Sequence, residues 1–273
     1  MPVFFIFIPK YVNMDIVIIG SGNVATHLGK ALKSTHNIVS VFSRNIEKAS
    51  ELADMVGAKA VNNLKDIPAN ADFYIISVKD DAIKNIVNLT DKVNGIVMHT
   101  AGSIPIDELN HFSSYGVFYP FQTFTKNKEV NFNNIPVLIE GNTDETRKKI
   151  HDLALSISEK VYDVSSEQRL MLHISAVFAC NFVNHFYHIA ETILKKADLP
   201  FDLLMPLITE TADKVQSTSP FLAQTGPASR NDQDTIQKHL DVLHRLNEKR
   251  AENIYREISE DISEIHKDSN QKK

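Results

Sequence analysis

A strand, a glycine-rich turn and a helix follow one another between Asp15 and Leu32, and this succession restricts the fold more than any other feature of the chain. In residues 15–19, Asp15 is followed by four apolar, β-branched residues, which is typical of a strand buried on both faces of a parallel sheet. The turn Gly20-Ser21-Gly22-Asn23-Val24-Ala25 comes next, and apolar residues then recur with helical spacing. The chain is therefore predicted to begin its fold as a βαβ unit.

The turn itself has the composition of a phosphate-binding loop. Gly20 permits the tight turn, Gly22 lets a pyrophosphate approach the backbone, and Ala25 allows the helix to pack closely on the strand. The helix N-terminus adds unpaired N–H groups and the positive end of its dipole. We therefore predict a dinucleotide site formed by Gly20, Ser21, Gly22, Asn23 and Val24. A sheet turn without a ligand and a methyltransferase glycine loop are the alternatives.

Residues after the second predicted strand indicate which dinucleotide binds. NAD-specific sites carry an acidic residue about twenty residues after the glycine loop, where it binds the ribose 2′-hydroxyl. This chain has Ser43 and Arg44 there instead. A guanidinium pairs with a phosphate through charge-assisted hydrogen bonds, and a neighbouring hydroxyl adds a donor. The two residues predict NADP as the cofactor, against the alternative that Arg44 is an ordinary surface side chain.

Further cofactor contacts are expected at the carboxyl ends of the fourth and fifth predicted strands, because ligands of open α/β sheets bind there. Val78 and Lys79 follow the fourth strand and are predicted to lie near the cofactor ribose. His99, Thr100 and Gly102 follow the fifth strand and are predicted to lie near the nicotinamide. The alternative for His99 is a structural residue that closes its strand.

Eight strand-like runs alternate with helical segments up to residue 163, which predicts a right-handed, parallel, doubly wound sheet. The runs lie at residues 15–19, 37–42, 58–61, 72–78, 95–99, 117–119, 136–139 and 160–162. Beyond them only helical periodicity remains, with helices expected at 168–196, at 200–216 and from 232 past 258. We therefore predict a Rossmann domain at 14–163 and an all-α domain at 164–266, with a disordered tail at 267–273. Met14 directly precedes the first strand and is interpreted as the natural start, which makes residues 1–13 a non-core extension.

Candidate catalytic residues lie in the predicted helical half. His173 and Asn181 fall on one stripe of a largely apolar helix, where polar side chains usually need partners. Histidine exchanges protons near neutral pH, so His173 is the candidate general acid, and Asn181 is a candidate to hold a substrate carbonyl. Arg230 follows a Gly-Pro turn and is a candidate clamp for a substrate carboxylate. Structural hydrogen bonding across a helix bundle or a dimer interface is the alternative for His173 and Asn181.

The composition of the chain argues against several classes of function. The net charge is −5, with 29 Lys and Arg against 34 Asp and Glu, whereas general nucleic-acid binding needs basic patches. The eleven histidines show no metal-ligand spacing, and the apolar run at the N-terminus is shorter than the ~20 residues of a membrane span. The single cysteine, Cys180, is interpreted as a buried thiol and fits a reducing compartment. We expect a cytoplasmic protein that binds neither nucleic acid nor a membrane.

From residue 14 to about 250 the chain resembles the NADP oxidoreductases that join a Rossmann-like half to a helical domain of unknown function. These are relatives of pyrroline-5-carboxylate reductase, of the deazaflavin-dependent NADP reductase and of the β-hydroxyacid dehydrogenases. The resemblance implies NADP as cofactor, a helical domain like the C-terminal domain of 6-phosphogluconate dehydrogenase, and a homodimer formed through that domain. It is carried by the glycine loop, Ser43-Arg44-Asn45, residues 77–80, His99-Thr100-Ala101-Gly102-Ser103, residues 119–124, Asn181, and Thr225-Gly226-Pro227 with Arg230 and Asp232.

One departure from these relatives bears on the reaction. The β-hydroxyacid dehydrogenases carry a lysine one helical turn before an asparagine, and here Val177 precedes Asn181. Imine reduction, as in the pyrroline-carboxylate relatives, does not demand that lysine. The leading hypothesis is an NADPH-dependent reductase that acts on a small carbonyl or imine substrate, and this substrate is expected to carry a carboxylate. The alternatives are a non-catalytic NADP-binding sensor and hydride exchange between NADP and a second redox cofactor.

Overall fold

The structure, a computed structural model, describes residues 13–87, 93–126 and 128–270. Residues 1–12 of the predicted extension and the last three residues of the predicted tail lie outside this range. The chain divides into a first compact unit that ends at Ala176 and a second that begins at Val177. The predicted boundary near residue 164 follows the last strand, whereas the first unit also contains the helix that comes after it.

An eight-stranded sheet forms the centre of the first unit, in the order β3-β2-β1-β4-β5-β6-β7-β8. The strands are β1 Asp15–Ile19, β2 Asn37–Phe42, β3 Lys59–Val61, β4 Phe73–Ile76, β5 Ile96–His99, β6 Tyr115–Pro120, β7 Val137–Gly141 and β8 Val161–Asp163. Strands β1 to β6 are parallel, which confirms the Rossmann-type sheet. All eight strands were predicted from buried apolar runs.

The direction of the last two strands differs from the prediction of a wholly parallel sheet. Strand β7 pairs antiparallel with β6, and β8 then runs parallel to β7. A parallel return needs a crossover, usually a helix. The described residues between β6 and β7 form only a 3₁₀ turn at Phe132–Asn134, so the chain re-enters the sheet at the same edge at which β6 ends, with Val137 opposite Pro120.

Helices cover both faces of this sheet, and their ends follow local sequence signals. They are α1 Asn23–Leu32, α2 Ile46–Val56, α3 Asp80–Val87, α4 Asp144–Leu155 and α5 Ser166–Ala176. Asn45 caps α2 by accepting a hydrogen bond from the Lys48 N–H at 3.0 Å, and Gly57 ends it in the left-handed conformation. The side chain of Thr143 likewise accepts from the Thr146 N–H at the start of α4.

Two separate cores result from this arrangement. On one face, α1, α2 and α4 pack against Ile16, Ile18, Ile75 and other residues of alternate strand positions. On the other face, α3 and the segment around Leu109 pack against the intervening positions of the same strands. A sheet buried on both faces explains why its strands are continuously apolar. Its carboxyl edge is left as the place where polar side chains collect.

The second unit is helical. It comprises a π-helical stretch Val177–Phe182, α6 Val183–Lys195, a 3₁₀ turn Phe201–Leu204, α7 Met205–Ser217, α8 Pro220–Ala223, a 3₁₀ turn Ala228–Arg230, α9 Gln233–Arg245 and α10 Lys249–Asn270. The helix predicted at 168–196 therefore contains a π-helical interruption. No helix in the described residues has the length and apolarity needed to cross a bilayer.

Three other predictions for this unit are corrected. The helix expected from Asp232 past Ile258 is broken into α9 and α10, because Asn247 adopts the left-handed conformation with φ 60°. The predicted disordered tail begins too early, since α10 continues to Asn270. The thiol of Cys180 was interpreted as buried but is exposed in the single chain. It lies among other exposed apolar residues, Phe178 and Phe182.

Candidate active site

The glycine loop joins the end of β1 to α1 at the carboxyl edge of the sheet. Gly20 has a φ of +129°, and a side chain there would overlap the carbonyl oxygen of Ser77 after β4. Gly22 is different, because a Cβ added to it would meet no atom within 4 Å. The first glycine is therefore required by the protein's own packing. The second leaves open space in front of the N-terminal turn of α1, which fits the approach of a pyrophosphate.

The side chain of Asn23 is used inside the protein. Its Nδ2 donates to the Phe124 carbonyl oxygen at 2.9 Å, and the His27 ring lies 2.9 Å from the Thr125 carbonyl oxygen. These contacts fix the segment after β6 against the first turns of α1. The predicted contact between Asn23 and a cofactor would therefore be made by its backbone N–H at the helix N-terminus.

Residues predicted to select the cofactor lie next to the loop. The hydroxyl of Ser21 donates to the Ser43 hydroxyl at 3.0 Å, which links the glycine loop to the end of β2. The Arg44 side chain is exposed, and within the described ranges it has no hydrogen bond or ion pair. Val78 is half-buried and Lys79 is exposed after β4. Arg44 is thus an accessible cation beside the loop, as a 2′-phosphate site requires.

His99, at the end of β5, does not fit its predicted place beside a nicotinamide. The residue is fully buried, and its Nδ1 accepts from the Ala101 N–H at 3.2 Å. Burial, first, and the positive charge of Arg169 together lower the pKa of His99 from 6.5 to about 3, although a hydrogen bond with the backbone of Pro105 acts in the opposite direction. His99 is therefore neutral at physiological pH and lacks exposed surface for a ligand. Thr100 is also buried, with its hydroxyl donating to Ser77 at 3.2 Å.

A buried neutral histidine makes stability depend on pH. Between about pH 6.5 and pH 3 the unfolded chain binds a proton at His99 that the folded chain excludes. The contribution of His99 is therefore complete above pH 6.5 and is lost as the pH falls, by up to about 1.4 kcal/mol per pH unit. Urea unfolding at pH 7 and pH 5 should show a smaller pH-dependent loss for His99→Asn than for the wild type. Equal losses in the two proteins would contradict a neutral His99.

Gly102, two residues beyond Thr100, lies directly against two larger side chains. A Cβ on Gly102 would lie 2.6 Å from Nδ1 of His173 and 3.1 Å from Cζ of Tyr119. The glycine therefore makes room for these two rings, which are joined by a hydrogen bond of 3.1 Å between the Tyr119 hydroxyl and His173 Nδ1. Both rings are half-buried and meet edge to face at the carboxyl end of β6.

Asp80 and Ser103 extend this cluster across the neighbouring strands. The Ser103 hydroxyl, adjacent to Gly102, hydrogen-bonds the carboxylate of Asp80 at the start of α3. Burial raises the pKa of Tyr119, and the negative charge of Asp80 raises it further, while Arg169 has a weaker opposite effect. The Tyr119 phenol is therefore protonated at neutral pH. It is a neutral hydrogen-bond donor beside a histidine.

A buried ion pair positions the helix that carries His173. Arg169 has a side chain only 1% exposed, and its Nη1 lies 2.5 Å from Oε2 of Glu140 in β7. Its Nη2 donates to the Ile104 carbonyl oxygen at 2.6 Å, and the Ser166 hydroxyl donates to the same Glu140 carboxylate at 2.8 Å. Arg169 precedes His173 by one helical turn, so this network orients the ring toward Tyr119.

The other two predicted catalytic residues lie in the second unit. Asn181 is exposed in the π-helical stretch, and Arg230 is exposed at the end of a 3₁₀ turn. Asp232 caps α9 as predicted, with its carboxylate 3.1 Å from the Thr235 N–H and 2.8 Å from the Thr235 hydroxyl. His173, by contrast, belongs to the first unit.

Sequence reasoning missed two members of the site. Tyr119 was named only within the stretch 119–124 that carries the family resemblance, although a hydroxyl at a strand end is itself a candidate proton donor. Arg169 was not singled out. Its signal is an arginine four residues before a candidate histidine on one helix, which places both on the same face. No cluster of three or more His, Cys, Asp or Glu suited to a metal is found among the described residues.

Comparison with known families finds two matches along the chain. Residues 15–101, which include the glycine loop and the end of β5, match the family model described as NADP oxidoreductase, coenzyme F420-dependent. Residues 135–262, from the start of β7 into α10, match a domain of unknown function, DUF2520. None of the curated proteins matches the chain closely enough to count as a relative.

Solved structures extend the similarity to nearly the whole chain. A Bacteroides fragilis protein, described provisionally as an NADP oxidoreductase, is 43% identical, with a TM-score of 0.87 over 92% of this chain and 98% of its own. Pyrroline-5-carboxylate reductase from Streptococcus pyogenes is 17% identical, with a TM-score of 0.60 over 92% and 99%. An imine reductase from Myxococcus stipitatus in complex with NADP⁺ is 13% identical, with a TM-score of 0.63 over 94% of each chain. At these low identities, the similarity to the pyrroline-5-carboxylate reductase and to the imine reductase is a similarity of fold.

Proposed function

Because this chain belongs to the same family as the Bacteroides fragilis NADP oxidoreductase, we propose that it reduces a small carbonyl or imine substrate with NADPH. The observation that carries the proposal is the Tyr119–His173 hydrogen bond at the carboxyl edge of the sheet. The same edge holds the glycine loop, so a proton source and a dinucleotide site share one side of the first unit.

The protein's own residues supply binding and protons. Bound NADPH supplies the hydride, and the open space at Gly22 accommodates its pyrophosphate against the N–H groups of α1. Ser43 and the accessible Arg44 bind its 2′-phosphate. His173 supplies the proton for the substrate heteroatom within its hydrogen-bonded pair with the protonated phenol of Tyr119.

The lysine that β-hydroxyacid dehydrogenases carry one turn before their asparagine is absent before Asn181. This absence favours the reduction of an imine over the formation of a hydroxyacid. The fold neighbours include an imine reductase and a pyrroline-carboxylate reductase, which supports the same choice. Arg230, exposed on the second unit, is the proposed contact for a substrate carboxylate, and Asn181 for a substrate polar group. Exposed apolar side chains of the second unit, Phe178 and Leu207 among them, support a homodimer formed through it. A cytoplasmic location is proposed from the lone cysteine alone.

Replacing Arg44 with alanine tests the cofactor assignment. The dissociation constant for NADPH should rise about 10- to 100-fold, since a charge-assisted hydrogen bond contributes about 1.5–3 kcal/mol. Binding of NADH, which lacks the 2′-phosphate, should change little. Fluorescence titration with both nucleotides measures the difference, and Lys48→Ala, an exposed cation on α2, is the matched control. Equal effects on the two nucleotides would refute the role of Arg44.

A second candidate function is an NADP-binding sensor without turnover, which the accessible Arg44 and open Gly22 alone would also support. The two are separated by following NADPH absorbance across keto acids and cyclic imines, with His173→Ala and Arg230→Ala as comparison variants. Turnover that falls in both variants supports the reductase. Tight NADPH binding with no turnover across the panel supports the sensor. Failure to bind either nucleotide overturns both.

A further inference from the structure

We propose that Tyr119, rather than His173 directly, delivers the proton to the reduced substrate, and that His173 returns a proton to Tyr119. The inference rests on the proposed reductase function and deepens it by naming the residue that contacts the substrate. It is carried by four observations: the place of Tyr119 in the sheet, its partial exposure, its hydrogen bond to His173, and the glycine that makes room for both rings.

Tyr119 lies at the correct edge of the sheet. Strands β1, β4, β5 and β6 are parallel neighbours, so the end of β6 lies on the same edge as the glycine loop at the end of β1. With about 4.8 Å between strands, the two ends are about 14 Å apart. A dinucleotide whose pyrophosphate binds at Gly22 extends along this edge. The Tyr119 side chain, half-buried against Gly102, faces that path from its far end.

Alternative donors on the same edge are excluded or already engaged. His99 is fully buried, the Thr100 hydroxyl donates to Ser77, and the Ser103 hydroxyl bonds the Asp80 carboxylate. Tyr119 is partly accessible and keeps its proton at neutral pH, because burial and Asp80 raise the pKa of its phenol. His173 lies behind it, joined through Nδ1 at 3.1 Å. Among these three hydroxyls, the phenol is the one that is hydrogen-bonded to a histidine, which can return a proton.

On a C=N substrate, the carbon would accept the hydride that bound NADPH supplies, and the π-electron pair of the C=N bond would move to nitrogen. That nitrogen takes the Tyr119 hydroxyl proton and leaves a phenolate. The phenolate oxygen takes the proton of His173 Nδ1, and the imidazole regains one from solvent. The products are the amine and NADP⁺, and both residues return to their starting state.

A phenol beside the nicotinamide should distinguish the two oxidation states of the cofactor without any substrate. The oxidised ring carries a positive charge that favours the phenolate, whereas the reduced ring is neutral. Because burial and Asp80 raise the pKa of Tyr119 above its ordinary value of about 10, binding of NADP⁺ should release part of a proton from the phenol at about pH 10. The charged and titratable groups that face this phenol are Asp80 from α3 and Arg169 and His173 from α5.

Proton release is measured by calorimetric titration of each nucleotide in two buffers that differ in ionisation enthalpy. We expect NADP⁺ to release more protons than NADPH, and Tyr119→Phe to abolish the difference while still binding both nucleotides. Tyr115→Phe, at the other end of the same strand, should behave as the wild type. His173→Ala should move the release to higher pH by removing a donor to the phenolate. His173→Gln, which keeps an N–H donor, should restore part of it.

The outcomes separate this inference from the proposed function. If Tyr119→Phe binds both nucleotides and retains the excess proton release, Tyr119 is not beside the nicotinamide and the inference fails, whereas the reductase function stands. If the wild type binds neither nucleotide, the proposed function fails and the inference with it. An unchanged release in His173→Ala would overturn the role assigned to His173 and leave Tyr119 as the donor.

Discussion

Replacing Arg169 with methionine is expected to lower the free energy of unfolding of the first unit by about 3–5 kcal/mol, because it leaves the Glu140 carboxylate without its buried partner. The pair is 2.5 Å apart, and the arginine side chain is only 1% exposed. The substitution also removes the hydrogen bond that Arg169 donates to the Ile104 carbonyl oxygen. Urea unfolding followed by circular dichroism measures the change.

The matched control is Arg147→Met. Arg147 pairs with Asp144 at 2.8 Å, but its side chain is 48% exposed. Exposed ion pairs contribute at most about 1 kcal/mol, so this variant should unfold almost as the wild type does. The double change Arg169→Met with Glu140→Leu should recover part of the lost stability by removing the unpaired charge. Similar losses for Arg169→Met and Arg147→Met would show that the buried pair has no special structural role.

Alanine at the two loop glycines is expected to give opposite results. Gly20→Ala should destabilise the first unit by about 2–6 kcal/mol, since φ is +129° and the new methyl group overlaps the Ser77 carbonyl oxygen. Gly22→Ala should change stability by less than about 1 kcal/mol, because its φ of −80° suits alanine and its surroundings are open. The same open space is the proposed place of the pyrophosphate, so NADPH affinity should fall about 10- to 100-fold.

Thermal unfolding and NADPH titration of both variants test this pair. The informative result is a Gly22→Ala protein that folds as the wild type does and binds NADPH poorly. Unchanged affinity in that variant would place the pyrophosphate elsewhere. A Gly20→Ala protein of wild-type stability would contradict the tight approach of the loop to the end of β4.

Local patterns in the sequence were sufficient for most of the first unit. Eight apolar runs correspond to eight strands, and the caps at Asn45 and Thr143 lie where the helices begin. These features depend on neighbours within a few residues, which is the range over which periodicity and side-chain capping operate. The glycine loop and the accessible Arg44 were found for the same reason.

Features set by distant contacts were missed. Strand β7 runs antiparallel to β6 because no crossover helix joins the two strands in the described residues. The sequence of residues 136–139 gives no sign of this direction. The burial of His99 depends on strands to either side, and the Tyr119–His173 hydrogen bond joins residues 54 positions apart. Such contacts become visible only once the chain is folded. The break at Asn247 is local by contrast, since it rests on one residue with positive φ inside an otherwise continuous helical pattern.

The binding of Glu140 to the first turn of α5 gives that helix a fixed reference point within the sheet. Because His173 stands four residues after Arg169, its height above this point is set at about 6 Å by helical rise alone. Residues inserted at 164 and 165 would lengthen the connection between β8 and α5. They would leave the His173 ring in place, because they precede the contact between Glu140 and α5. One residue inserted between Arg169 and His173 would instead rotate the ring by about 100° and separate it from Tyr119. Length variation among relatives is therefore expected before Ser166 and not within the turn that follows it.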